Sequence, residues 1–132
     1  MTKRDQVLNT LKEESLGYVF FNTSNEEQFQ TIGLLCRETI ISIAQAIFNE
    51  KKHPTLDGVK PSKTDAKRML DAYIAIELEG GANENIRKYA RASNDLANEL
   101  THKRTANAKD ASLCASATIS LVSLIGILED RH

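Results

Sequence analysis

The sequence predicts an all-α protein, an up-and-down bundle of about five helices that together form a single domain. The 132 residues include only two prolines and six glycines, so long stretches contain nothing that interrupts a helix. Apolar residues recur in these stretches at steps of three and four, which is the spacing of one helix face. Capping residues precede the apolar runs, and the short connections between successive helices favour a bundle.

We divide the chain into an N-terminal part over 1–23 and a helical bundle domain over 24–132. The N-terminal part is expected to contain two elements. Thr2 and Asp5 form a capping box for a first helix. Residues 16–21 are apolar and aromatic, as in a strand, but the sequence offers no partner strand. We therefore interpret 16–21 as an extended segment that packs on the bundle or on a neighbouring subunit.

Four further helices are marked by start and stop signals. The first begins at a capping box of Ser24 and Glu27 and ends near Asn49, and residues 50–61, with both prolines, form the loop that follows. Its apolar side chains are Phe29, Ile32, Cys36, Ile40, Ile43 and Ile47. The next helix begins at Ser62 and Asp65 and stops at Gly80 and Gly81. Asn83 caps the following helix, which runs to about Arg104, and Asn107 caps the last, which runs to about Glu129.

The composition narrows the class of protein. A hydrophobic content of 41%, a charged content of 27% and a net charge of −1 are typical of a folded domain rather than of a disordered chain. Aromatic residues make up only 5% and tryptophan is absent, which argues against a platform that stacks single-stranded bases. No apolar leader follows Met1, and Cys36 and Cys114 lack a CxxC spacing. We therefore expect a cytoplasmic protein with reduced, buried thiols, a disulfide being the alternative.

The segment 111–128 is uncharged and just long enough to be tested as a membrane span. Five hydroxyl side chains interrupt it, so we expect a helix in the core or at a subunit interface instead. A single bundle of this size need not cover every side of such a helix, and we therefore predict a homodimer. This helix or residues 18–21 would form the interface, and complete burial inside one bundle is the alternative.

The helix predicted over 83–104 carries the most informative pattern. At about 100° per residue, a core face collects on one side: Ile86, Tyr89, Ala90, Ser93, Leu96, Ala97 and Leu100. A separate side carries what we name the polar stripe: Arg87, Arg91, Asn94, Asn98, Thr101 and His102. The polar stripe contains no acid, and its asparagines and threonine are poor helix formers.

The polar stripe has two interpretations. Any surface helix needs a polar side, so it can be a solvated face. It can also be a site for an anion or a phosphate, because arginine offers planar paired donors and histidine transfers protons near neutral pH. The candidates for phosphate contact are Arg87, Arg91, Lys103 and Arg104, and the candidates for chemistry are His102 and Asn98. A basic patch of this kind favours a nucleic-acid partner, although cations at a helix C-terminus also stabilise the helix.

Weaker signals lie elsewhere. Arg37 and Glu38 interrupt an apolar helix, either as an internal salt bridge or as a second contribution to the site. His53 and Asp57 lie in the loop, but together with His102 they have no diagnostic metal-ligand spacing. Phosphate-loop and dinucleotide motifs are absent from the sequence. We expect no metal and no other cofactor.

The block 96–106, with the sequence LANELTHKRTA, is followed by an apolar helix rich in cysteine and alanine. This block resembles the HEPN superfamily of helical domains, especially uncharacterised bacterial members of the abortive-infection type. Segments 34–38, 53–54 and 62–67 are similar to the same group, so the resemblance spans roughly residues 25–130. It implies an up-and-down helical bundle that commonly dimerises.

Many members of the superfamily are metal-independent ribonucleases, and their signature is an arginine followed after four to six residues by a histidine. The resemblance matches His102 to that histidine and Asn98 to the polar residue after the arginine. Positions 95–97 hold aspartate, leucine and alanine, so the arginine is missing. Arg104, Arg37 or an arginine of a second subunit would have to replace it.

The resemblance thus implies a dimeric domain of a prokaryotic defence or stress protein that binds RNA or a nucleotide, with RNA cleavage as the further option. In the family's chemistry the histidine assists attack by a ribose 2′-hydroxyl on the adjacent phosphate, and the arginine stabilises the developing charge. The alternative function is a non-enzymatic dimeric interaction module. A small-ligand pocket between helices is a third option, and Arg37 with Glu38 is its only specific support.

Overall fold

The computed structural model describes residues 26–103 and 107–130. The described residues form four α-helices and one short 3₁₀ helix, and they contain no strand. In chain order the elements are α1 (Glu26–Ile47), α2 (Ala66–Glu77), the 3₁₀ helix (Gly81–Asn83), α3 (Glu84–His102) and α4 (Ala108–Glu129). The all-α class is confirmed with four helices rather than about five, and the predicted first helix and the segment 16–21 lie outside the described residues.

The helix starts follow the capping chemistry with two corrections. Asn107 caps α4 as predicted, since its side chain accepts a hydrogen bond from the backbone N–H of Asp110 at 2.8 Å. The cap of α2 is Asp65 rather than Ser62, because the Asp65 carboxylate accepts from the backbone N–H of Arg68. Asn83 lies at the cap position of α3 but makes no capping bond, and its side-chain amide instead donates to the Glu79 carbonyl at 3.0 Å.

The helix α4 lies in the core of the bundle and packs against both α1 and α3. By length and composition α4 could cross a membrane, but more than half of its most apolar window is buried inside the protein. Its central residues Leu121, Val122 and Ile125 belong to the main hydrophobic cluster with Leu70 and Tyr73 of α2. This burial is what the sequence predicted for a core helix.

A second, smaller hydrophobic cluster joins the N-terminal halves of α1 and α4 to the end of α3. Cys36 of α1 and Cys114 of α4 are both free and fully buried in it, as predicted. The interaction between the two thiols lowers the pKa of Cys36 and raises that of Cys114. The cluster fixes the level of α1 relative to α3, because Leu100 of α3 also belongs to it.

The buried face of α3 differs from the predicted one. Ala90, Ala97 and Leu100 are buried as expected, but Ile86 is 44% exposed and Tyr89 is 53% exposed. Asn94, which the sequence places in the polar stripe, is only 1% exposed. Of the other residues on the predicted core face, Ser93 is buried and Leu96 is half-buried. The buried face is therefore turned towards the polar stripe, because α2 packs against α3 on that side and offers polar partners to Asn94.

Candidate functional site

A cleft of about 440 Å³ opens between α1, α3 and the segment that leads into α2. Its volume is within the range of about 300–1,000 Å³ that small-molecule sites occupy. The cleft brings together four of the six residues of the polar stripe with the segment 62–67 and part of α1. The lining residues are Arg37, Ile40, Ile41, Ser62, Thr64, Asp65, Ala66, Lys67, Asn94, Asn98, Thr101 and His102.

His102 is exposed at the mouth of the cleft, in the last turn of α3. Its Nδ1 lies 2.8 Å from the backbone carbonyl oxygen of Asn98. Since a carbonyl oxygen only accepts, Nδ1 must carry the proton that is donated in this bond. The neutral ring therefore keeps an unprotonated Nε2, which is the form that a general base requires.

Asn98 orients His102 through its main chain rather than through its side chain. The Asn98 carbonyl accepts from His102 and also from the Thr101 hydroxyl at 3.2 Å. Its side chain is half-buried and lines the cleft. The sequence predicts Asn98 as a candidate for the chemistry of the site, and in the structure its backbone carbonyl oxygen, not its side chain, contacts His102.

Asn94 lines the cleft from a buried position on α3. Its Nδ2 donates to the Asp71 carboxylate at 2.9 Å and approaches the Lys67 backbone carbonyl at 3.3 Å. Both partners lie on α2, more than 20 residues earlier in the chain. Sequence reasoning identified Asn94 but not these partners, because a period along one helix carries no information about which helix packs against it.

Most of the charged groups around the cleft are paired. Lys67 donates to Asp71 at 2.8 Å and lies 3.2 Å from the Asp95 carboxylate, and the hydrogen bond to Asp71 raises the pKa of Lys67. The Asp65 carboxylate contacts the Arg68 guanidinium. Arg37 is exposed, lines the cleft and forms no ion pair within the described residues. Its guanidinium is therefore the cation that the described cleft leaves open to an anionic group.

The exposure of Arg37 corrects an expectation. Arg37 and Glu38 are both exposed, so they do not form the internal salt bridge considered from the sequence. Arg37 lines the cleft, whereas Glu38 is not among its described lining residues. The structure thus places Arg37 beside the polar stripe, which the sequence could suggest only as an option.

The other basic candidates lie away from the cleft lining that the structure describes. Arg87 donates to the backbone carbonyls of Leu78 at 2.6 Å and Gly80 at 2.9 Å, where it satisfies the end of α2. Arg91 is exposed on α3, and Lys103 pairs with the Asp110 carboxylate at 3.1 Å. Arg104 lies outside the described residues.

His53 belongs to a different part of the molecule. It lies in a separate cavity of about 350 Å³, where its Nε2 is 3.0 Å from the carboxylate of Glu77. Asp57 instead pairs with Arg68, and its pKa is lowered by a hydrogen bond from the backbone N–H of Val59. Across the described ranges, no three His, Cys, Asp or Glu side chains group as a metal site.

No protein-family model, curated protein or solved structure matches this chain.

Proposed function

We propose that the cleft binds a phosphate group of RNA or of a nucleotide, in a HEPN-like domain of a prokaryotic defence or stress protein. The single observation that carries the proposal is the presence of Arg37 and His102 in the same cleft. Arg37 supplies a planar cation that has no ion-pair partner among the described residues, and His102 supplies a nitrogen that accepts a proton. Asn98 and Thr101 add neutral polar groups beside them.

These groups fit the chemistry of RNA cleavage without a metal. His102 Nε2 takes the proton of a ribose 2′-hydroxyl, and the 2′-oxygen attacks the adjacent phosphorus. The bond from phosphorus to the 5′-oxygen breaks, and that oxygen leaves with a proton from solvent. Arg37 stabilises the negative charge that builds up on the phosphoryl oxygens, and in this way replaces the arginine that is missing at 95–97.

The first prediction concerns RNA cleavage. Incubating the purified chain with end-labelled RNA should give cleavage, and His102→Ala should slow it by at least about 100-fold, the usual contribution of a general base. RNA binding by His102→Ala should persist, because Arg37 still contacts the phosphate. Arg37→Ala should weaken binding and make the dependence of log Kd on log salt shallower by about 1.

Lys88→Ala is the matched control, since Lys88 is an exposed cation of α3 that pairs with Glu84 and is not among the described cleft residues. It should leave cleavage, affinity and the salt dependence unchanged. Absence of both RNA binding and cleavage in the unmodified chain would remove the proposal. Equal losses in Arg37→Ala and Lys88→Ala would show a general charge effect rather than a site.

We also propose that the protein is a cytoplasmic homodimer that associates through the exposed side of α4. Leu113 and Ile119 are partly exposed there, and Ile127 is 67% exposed. Apolar Ile86 and Tyr89 are exposed on the neighbouring helix α3. The free thiols of Cys36 and Cys114 agree with a reducing compartment.

The second prediction is therefore a light-scattering mass of twice 14.7 kDa at micromolar concentration. Ile127→Glu should shift the protein to monomer, because it places a charge in an apolar interface. Leu56→Glu is the control, since Leu56 is 63% exposed but lies in the loop before α2. A monomeric unmodified chain contradicts the dimer. A dimer that neither binds nor cleaves RNA favours the alternative function, a non-enzymatic interaction module.

A further inference from the structure

We propose that Asn94 is a specificity-determining residue of the cleft, whose Oδ1 accepts a hydrogen bond from the exocyclic amino group of a nucleotide base. This inference rests on the proposed function, because it assigns the base of the nucleotide whose phosphate Arg37 contacts. The side chain of Asn94 is buried, yet it lines the cleft.

The orientation of the Asn94 amide is fixed by its neighbours. Its Nδ2 is 2.9 Å from the Asp71 carboxylate and 3.3 Å from the Lys67 carbonyl, and both of these groups only accept. A flipped amide would place Oδ1 against two acceptors and lose both bonds. Asp71 is itself held by Lys67 at 2.8 Å, so the amide has a rigid support.

The Oδ1 atom has no hydrogen-bond partner among the residues that the structure describes. Among the described residues, the only fully buried side-chain atom without a hydrogen-bond partner is the Thr39 hydroxyl oxygen. Asn94 Oδ1 has no partner either, so it is not fully buried. It therefore opens into the cleft as a fixed acceptor. A buried polar group of this kind favours ligands that supply the missing donor and disfavours those that do not.

The position of the acceptor suits a nucleotide. Asn94 and His102 are eight residues apart on α3, which is roughly 12 Å along the helix axis. Arg37 lies at the His102 end, because its neighbour Cys36 shares a hydrophobic cluster with Leu100. A ligand that reaches Asn94 from Arg37 thus needs an anionic group at one end and a hydrogen-bond donor at the other. Ile40 and Ile41 provide an apolar wall for the flat body between them.

The surroundings of Asn94 select an amino group over the imino group of uracil. An exocyclic amino group projects beyond the ring and can reach a recessed acceptor. The N3–H of uracil is flanked by two carbonyl oxygens, which would be brought towards the Asp71 carboxylate beside Asn94. Adenine, cytosine and guanine each carry an exocyclic amino group, and AMP is the probe that we choose.

The test compares AMP with purine riboside 5′-monophosphate, which lacks only the amino group, by calorimetry on the unmodified chain. AMP should bind at least about tenfold more tightly. This comparison changes the ligand and not the protein, so it does not depend on whether Asn94 variants fold. Equal affinities would overturn the inference about Asn94 and leave the phosphate site standing.

Three further measurements complete the test. Asp71→Asn replaces a group that only accepts by an amide that can accept or donate, so the Asn94 amide is no longer held in one orientation and the preference for AMP should fall to within about threefold. If Asp71 has a purely structural role, the variant should weaken the binding of both ligands equally and keep their ratio, which would count against the positioning.

Ribose 5-phosphate binding as tightly as AMP would also overturn the inference, and failure of all three ligands to bind would overturn the phosphate site itself. A matching preference of oligoadenylate over oligouridylate identifies RNA as the source of the base, and a preference for free AMP alone identifies a nucleotide.

Discussion

Replacing His53 with alanine is expected to lower the free energy of unfolding by about 3 kcal/mol, because it breaks a buried polar network on both sides of the ring. His53 is 2% exposed, and its Nδ1 accepts from the backbone N–H of Asn49 at 2.9 Å. The proton of the neutral ring is therefore on Nε2, which donates to the Glu77 carboxylate at 3.0 Å. The ring also packs edge-on against Tyr73 at a centroid distance of 5.2 Å.

The alanine variant leaves the Asn49 N–H without this acceptor and Glu77 without this donor, and it opens a cavity beside Tyr73. Lys52, which is 3.0 Å from the same Glu77 oxygen, reduces the loss but does not remove it. Urea unfolding followed by circular dichroism measures the change as a shift of the midpoint. His102→Ala is the matched control, since His102 is exposed, and should change stability by less than about 0.5 kcal/mol.

A double variant separates the charge from the packing. His53→Leu combined with Glu77→Leu removes donor and carboxylate together and should recover part of the stability lost in His53→Ala. No recovery would mean that the Asn49 contact and the shape of the ring carry the effect. Equal destabilisation by His53→Ala and His102→Ala would contradict the network altogether.

The sequence was sufficient where structure depends on neighbours in the chain. The helix that carries the polar stripe was predicted to end near Arg104 and ends at His102. Asn107 caps the next helix by accepting a hydrogen bond from Asp110, only three positions away. The all-α class follows from the same local signals, namely period, caps and the scarcity of breakers.

The sequence was insufficient where a polar residue finds its partner on another helix. Asn94 is buried because Asp71 lies opposite, and His53 is buried because Glu77 lies opposite. Neither pairing leaves a trace in the spacing of residues along one helix. The placement of Arg37 beside the polar stripe depends in the same way on how α1 packs against α3.

Only the part of the cleft that α3 contributes could be predicted from the sequence. The residues Asn94, Asn98, Thr101 and His102 share one helix, so their common face follows from a rotation of about 100° per residue. The cation that completes the cleft comes from α1, and the support of Asn94 comes from α2.

The packing of α3 against α4 depends on small side chains. Ala97 is 0% exposed and lies in the main hydrophobic cluster with Ala90 of α3 and Ala117 of α4. Small side chains at these positions let the two helices approach closely, since the distance between helix axes depends on the residues at the contact. Ala97→Leu should therefore push α3 away from α4 and lower the free energy of unfolding by about 1–3 kcal/mol.

Ala92→Leu makes the same chemical change on the same helix at an exposed position, and should change stability by less than about 0.5 kcal/mol. The urea midpoints of the two variants give the comparison directly. Because Asn94 lines the cleft from the same helix as Ala97, the displacement should also weaken the affinity for AMP in Ala97→Leu but not in Ala92→Leu. Unchanged stability and affinity in Ala97→Leu would show that the α3–α4 contact is loose, and that the cleft does not depend on this packing for its shape.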